Sequence, residues 1–230
     1  LKQRYTLPEP PLCLRLTTFG RGESDLAAEL EPLPLPEGVV MGYRSSMPII
    51  ELKLTGPASQ RVAMEQSWQQ VRLMMAECTL FEGTEGLPAL LAHLLQQRGL
   101  TLSVSEQFSA GLLQWQLASA GIDLAAGNVL PTQPESLAAL ADRTARLAQS
   151  NGSALALSVG GFADEQLGFA LYTPEGTFAQ QVKFNINRHG LKARQEVVAM
   201  MAMNMLRRWL KGSDVTTGHG WIDVLETIKV

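Results

Sequence analysis

The stretch ALALSVGGF, residues 154–162, carries no charge and a single hydroxyl, and it runs into the glycine pair Gly160–Gly161. An unbroken apolar run of this length reads as a strand buried on both faces, because a strand with one wet face alternates polar and apolar residues. Burial on both faces demands a covering layer on each side, and the neighbouring sequence supplies helices. Helical spacing covers GLPALLAHLLQQRG (86–99), AGLLQWQLASA (110–120) and PESLAALADRTARLAQS (134–150). A last helix over roughly 190–211 puts Val198, Met201, Met205 and Trp209 on one stripe. LTLSVSE (100–106) reads as a second strand, and LGFALYTPEGTFAQQVKFN (167–185) as a hairpin turning at Pro174–Glu175–Gly176. A turn-rich stretch containing Gly127, Pro131 and Pro134 separates two of the helices, and WIDVLETIKV (221–230) reads as a docking segment or a strand. This order predicts a three-layer α/β/α domain with a mixed sheet.

The first part of the chain is patterned differently. Residues 1–11 are extended and proline-rich, with Pro8, Pro10 and Pro11. LCLRLTTFG (12–20) alternates as a strand does, and GESDLAAELEPL is a short helix closed by Pro32, Pro34 and Pro36. VVMGYRSSMPIIELKLTG gives two strands, the second setting Ile50, Leu52 and Leu54 opposite Glu51 and Lys53. The helix that follows offers Val62, Met64, Trp68, Val71 and Met75 to a core. The order β-α-β-β-α predicts a small α+β domain over 1–81, leaving 82–230 to the layered domain.

Composition narrows the function classes. Hydrophobic residues make up 46% and charged residues 18% of the 230, enough apolar material for sizeable cores. The net charge of −3, without long runs of either sign, argues against nucleic acid or an anionic membrane as the main partner. No apolar stretch reaches membrane-spanning length, so the expected location is the cytoplasm. Cys13 and Cys78 read as free thiols rather than a disulfide. His93, His189 and His219 are scattered, so neither a metal nor another cofactor is expected.

The strand-to-helix turn SEQFSAGL (105–112) is where enzymes of layered α/β folds place a nucleophile or a phosphate. Its centre, however, is Gln107–Phe108, and neither side chain attacks a carbonyl.

Both parts resemble the CinA (competence/damage-inducible protein A) family. TTFGRGESDLAAEL with PEGVVMGYRSSMPIIELKLTG looks like that family's KH-like middle domain, and Glu85 to Leu210 resembles its C-terminal domain. Active members of that second domain deamidate nicotinamide mononucleotide (NMN). The resemblance implies that an N-terminal molybdopterin-binding-like domain is missing, which fits a chain starting at Leu1. Active members carry E-S-C-T-G-G in the turn, with the serine as nucleophile. Here Glu106 and Gly111 match, while Gln107 stands at the serine, Phe108 at the cysteine, Ser109 at the threonine and Ala110 at the first glycine. The segment holding the activating Tyr and Lys has no room between Leu117 and Glu135, and no lysine occurs between Lys53 and Lys183. A T-G-I-A-G-P loop is represented by GGFAD, keeping Gly161 and Ala163, and Arg188 matches an arginine near the ligand phosphate.

The expected outcome is an eroded site with no catalytic residue. Ser109 remains as a weak candidate nucleophile without a visible base; its hydroxyl is expected to cap the helix. Glu106, Ser109, Gly111, Gly161 and Arg188 are the candidate ligand or phosphate residues, with Lys192 beside Arg188. Glu106 reads equally as a carboxylate favoured at a helix start, and Gly160–Gly161 as a turn needing positive φ. In the first domain, residues 1–80 hold 8 Lys/Arg against 9 Asp/Glu and lack a G-x-x-G clamp, which disfavours RNA. The methionines of the last helix fit a core or a subunit interface, and that helix together with the apolar first-domain helix points to a homodimer or higher homo-oligomer. The expected roles are structural, regulatory or ligand-sensing. An active deamidase using Ser109 and a ligand-free interaction module are the alternatives.

Overall fold

The computed structural model describes residues 9–184, 190–218, 220 and 222–230; Pro8, Arg188, His189, His219 and Trp221 lie outside them. The chain forms two compact units, Leu1–Thr84 and Glu85–Val230.

In the first unit, β1 (Leu12–Phe19), β2 (Val40–Ser46), β3 (Ile49–Gly56) and β4 (Thr79–Glu82) pair antiparallel in the order β2-β3-β1-β4. The alternation of β3 is complete: Ile50, Leu52 and Leu54 are buried while Glu51 and Lys53 are half-buried on the other face, where they pair. The buried face packs on α1 (Glu23–Leu30), through Leu26 and Leu30, and on α2 (Arg61–Met74), through Met64, Trp68 and Val71. Val62 does not join them, being 72% exposed. Four-residue β4 was not expected. It follows α2 within five residues and pairs with β1 across a register shift, a non-local contact with no alternating signature of its own.

The second unit is a three-layer α/β/α domain. Its mixed six-stranded sheet runs β10-β9-β8-β7-β5-β6, with β5 (Leu102–Glu106) parallel to both β6 (Leu124–Val129) and β7 (Leu155–Val159). β8 (Gln166–Thr173), β9 (Gly176–Phe184) and β10 (Ile222–Lys229) add antiparallel to β7. All five residues of β7 are buried, as an apolar run between two helical layers requires. α5 (Leu137–Asn151) covers one face, where Leu137, Leu140 and Ala141 meet Ala170 and Ala179. On the same face Gly168 leaves room for Leu140, whose Cδ2 would lie 2.8 Å from an added Cβ. α6 (Leu191–Leu210) covers the other face against β7 and β8, together with α3 (Leu87–Arg98) and α4 (Leu112–Ser119).

α6 is buried almost all round. Val197, Val198, Ala199, Met201, Ala202, Met203, Met205 and Leu206 are each at most 6% exposed. Met201, Met203 and Met205 therefore fill the core, one of the two readings, core or subunit interface, that their spacing allows. β6 was also unexpected, because Ala125, Ala126 and Gly127 disfavour strands and the sequence marks them as turn. No helix among the described residues is long and apolar enough to cross a membrane.

Candidate functional site

β5 and β7 end side by side, and the turn after β5 leads into α4. Three residues of that turn act on the helix start. Glu106 is fully buried; its Oε2 accepts from Leu113 N–H (3.0 Å) and its Oε1 from Gln114 N–H (2.8 Å). These are donors that a helix's first turn leaves without an intrahelical partner, so the carboxylate caps α4. The Ser109 hydroxyl donates to the same Oε2 at 2.5 Å. The position before the helix is taken by Gly111, with φ +93°, so Ser109 serves Glu106 rather than capping α4 itself. Ala110 precedes it with φ +53°, a left-handed conformation that glycine adopts without a Cβ penalty.

Gln107 points the other way. Its carboxamide is 6% exposed and occupied at both ends: Nε2 donates to Glu135 Oε1 at 2.9 Å, and Oε1 accepts from Gln133 N–H at 2.8 Å. Glu135 is held in turn by Arg143 of α5, whose Nε and Nη2 donate to its two oxygens at 3.1 and 2.8 Å. Arg143 Nη1 donates to Ser105 Oγ at 2.6 Å. The polar chain Gln107–Glu135–Arg143–Ser105 thus ties the segment entering α5 to the end of β5. Gly161 belongs to the same knot. A Cβ there would stand 2.8 Å from Thr132 Cγ2 and 3.0 Å from Gln107 Oε1 and from the Gln133 carbonyl oxygen. Neither Gly160 nor Gly161 has positive φ, so close approach, and not a left-handed turn, is what requires glycine.

Four backbone donors of the turn are spoken for. Gln107 N–H bonds Val159 O at 3.0 Å and Phe108 N–H bonds Gly160 O at 3.2 Å. Ala110 N–H bonds Gln107 O (3.1 Å) and Leu112 N–H bonds Ser109 O (3.0 Å). An oxyanion hole at this turn would draw on the amide following the nucleophile position, here Phe108, and that amide already holds a carbonyl. The Phe108 ring stacks on Phe162 at 4.6 Å between centroids, and Arg194 lies 5.6 Å over the Phe162 ring.

The expected ligand residues divide accordingly. Glu106, Ser109 and Gly111 gather at the start of α4, with Glu106 already seated on the amides that an anion would use. Gly161 lies on the other side, against Gln107. Arg188 lies outside the described residues. A surface cleft of about 400 Å³ runs past Ser109, Gly111, Trp115, Lys192 and Gln195, although Ser109 itself is only 1% exposed. Ser109 has a carboxylate partner that the sequence did not reveal, but the pair is sealed from solvent and shared with two amides. Glu135, Arg143 and Gln133 were missed altogether. They lie 26 to 36 residues from Gln107, in a stretch that reads only as turns and a helix. Among the described residues no cluster of three or more His, Cys, Asp or Glu could hold a metal ion.

No family model matches the chain. A CinA-like protein of Escherichia coli (strain 55989 / EAEC) is 56% identical over 230 residues, covering 100% of this chain and 58% of that protein. A protein of Escherichia coli (strain K12) described as NMN amidohydrolase-like protein YfaY matches with the same identity and coverage. The chain therefore spans less than two thirds of the curated relatives it matches. Among solved structures, a competence-damaged protein (CinA) superfamily protein from Klebsiella pneumoniae 700603 gives a TM-score of 0.48 at 18% identity, over 55% of this chain and 96% of that one.

Proposed function

We propose, from the premise that the chain belongs to the CinA-like proteins, that its second unit is an NMN amidohydrolase-like domain that no longer hydrolyses amides. Its role is structural or regulatory, and its first unit is the KH-like coupling domain of a longer protein. Covalent amide hydrolysis needs a nucleophile, a group that takes its proton, and donors for the developing oxyanion. At the nucleophile position stands a carboxamide, whose nitrogen lone pair is delocalised into its carbonyl and does not attack, and whose two ends are fixed to Glu135 and Gln133. The following amide is bonded to Gly160 O, and no lysine lies nearby in sequence between Lys53 and Lys183. The observation that carries the reading is the Gln107 clamp. A residue left over from lost catalysis would be free to point anywhere, whereas this one organises a buried network. Pyridine-nucleotide or phosphate recognition belongs to the cleft that Lys192 and Gln195 line.

The reading that Ser109 is a relocated nucleophile has one observation in its favour, the 2.5 Å bond to Glu106. Its 1% exposure weighs against it, because a reacting carbonyl has to reach the oxygen. The test is calorimetric titration of the chain with NMN, run beside an ammonia-release assay on the same preparation. Binding heat or its absence is compatible with the proposal as long as no ammonia appears; sustained ammonia release overturns it.

A further inference from the structure

The carboxylate of Glu135 is held as a bound ligand would be. Its Oε1 accepts from Arg143 Nη2 at 2.8 Å and from Gln107 Nε2 at 2.9 Å, and its Oε2 accepts from Arg143 Nε at 3.1 Å. Arg143 belongs to α5 and Gln107 to the turn after β5, so separate elements supply the two sides of the grip. A guanidinium edge set against both oxygens of one carboxylate is the planar geometry by which arginine recognises this group.

The donors are anchored without Glu135. Arg143 Nη1 donates to Ser105 Oγ, and the Gln107 backbone N–H donates to Val159 O. The start of α5 does not need Glu135 either, because Ser136 Oγ caps it by accepting from Ala139 N–H at 3.1 Å. The grip lies at the carboxyl ends of β5 and β7. Chain order switches there, with β6 on one side of β5 and β7 on the other, and open α/β sheets receive ligands at such points. Solvent reaches the pair, the Glu135 and Arg143 side chains being 17% and 24% exposed. Beside Ser105 in register, Ser158 is fully buried, and its Oγ has no hydrogen-bond partner among the described residues.

The occupant, by contrast, sits on lightly tied chain. Residues 131–134 are exposed, Pro131 and Pro134 have no N–H to give, and Gln133 N–H is held by the Gln107 side chain rather than by a strand or helix. Gln107 therefore latches this segment twice, once at the Gln133 backbone and once at the Glu135 carboxylate.

We propose that Arg143 and Gln107 form a receptor for a small carboxylate, that the chain's own Glu135 fills it, and that an external carboxylate displaces Glu135 and frees residues 131–135. An internal occupant on a short segment competes at an effective concentration of about millimolar or more, so the site answers to an abundant carboxylate. Glu135 returns to water when it leaves, so its charge is not stranded in the core. Arg143 and Ser105 lie on the α5 face of the sheet and the Ser109–Glu106 pair at the start of α4, so the inference holds whether or not the domain hydrolyses amides.

The test compares sodium acetate with sodium chloride at equal ionic strength, on the full chain. Glu135→Ala removes the resident carboxylate and leaves its three donors. Acetate at about ten times its dissociation constant should raise the unfolding midpoint of that variant's second unit by about 3–6 °C over chloride. Wild type should need about ten-fold more acetate or beyond for the same gain, and Glu135→Ala combined with Arg143→Met should gain nothing over chloride. Hydrogen exchange on the wild type gives a readout that needs no variant: acetate should speed exchange of the Gln133 amide about three-fold or more while leaving α5 unchanged. Inorganic phosphate should act more weakly than acetate, since the grip fits a planar group. No acetate-specific gain in Glu135→Ala, a gain that survives the loss of Arg143, a stronger response to phosphate, or Gln133 exchange indifferent to acetate overturns the proposal.

Discussion

Replacing Gln107 by alanine removes both ends of the clamp at once. The bond from Nε2 to the Glu135 carboxylate is charge-assisted, in the class worth about 1.5–3 kcal/mol, and the bond accepted from Gln133 N–H is neutral, about 0.5–1.5 kcal/mol. Residues 131–134 are exposed, so water can reach the vacated amide and offset part of the loss. The expected cost is therefore about 2–3 kcal/mol. For a unit of this size that corresponds to a fall of about 5–10 °C in Tm. Urea unfolding of the full chain, with the second unit's transition followed separately from the first's, measures it. Gln107→Ser should cost nearly as much, since a hydroxyl reaches at most one of the two partners. If Gln107→Ala lies within about 0.5 kcal/mol of wild type, the side chain is not a structural clamp and the reasoning fails.

Three further outcomes are expected. Gly161→Ala should destabilise the second unit by about 1–3 kcal/mol in the same unfolding assay, because the new methyl would press on Thr132 and on Gln133 backbone, 2.8 and 3.0 Å away. Arg143→Met should cost about 2–4 kcal/mol by leaving Glu135 half-buried without its charged partner, and Arg143→Lys should not restore stability, since one ammonium cannot span both carboxylate oxygens and Ser105. Burial raises the Cys78 thiol, against a smaller lowering by Arg21, so its folded pKa exceeds its unfolded one. The corresponding stability of the first unit is fully present below about pH 8.5 and is lost as pH rises through the folded value, and iodoacetamide should label exposed Cys13 before Cys78.

What the sequence made legible follows from where its signals are strong. The run 154–162 and the alternation of Ile50, Leu52 and Leu54 have one physical solution each, and the layers follow from them. β4 and β6 escaped because short or alanine-rich strands are fixed by their partners rather than by their own residues. For the α6 methionines the sequence left core and subunit interface both open, because periodicity shows one apolar stripe and cannot show that helices and sheet enclose the rest. At the turn, the sequence marked Gln107 as standing where a nucleophile is expected but gave its side chain no role. Its partners lie 26 and 28 residues away in a segment without periodicity, and only the folded chain brings them within 3 Å. Gly161 was rightly marked as a position needing glycine and wrongly explained, since steric approach and positive φ leave the same letter in a sequence.

Ammonia release from NMN, measured side by side for the wild-type chain, Gln107→Ser and Ser109→Ala, tests the central claim most directly. All three should release no more than buffer. Gln107→Ser in particular should remain inactive, because a serine returned without a base or a free oxyanion donor restores one part of a unit that works only as a whole. Wild-type turnover in the usual enzyme range of about 1–1000 per second, abolished by Ser109→Ala, would contradict the account and make Ser109 the nucleophile.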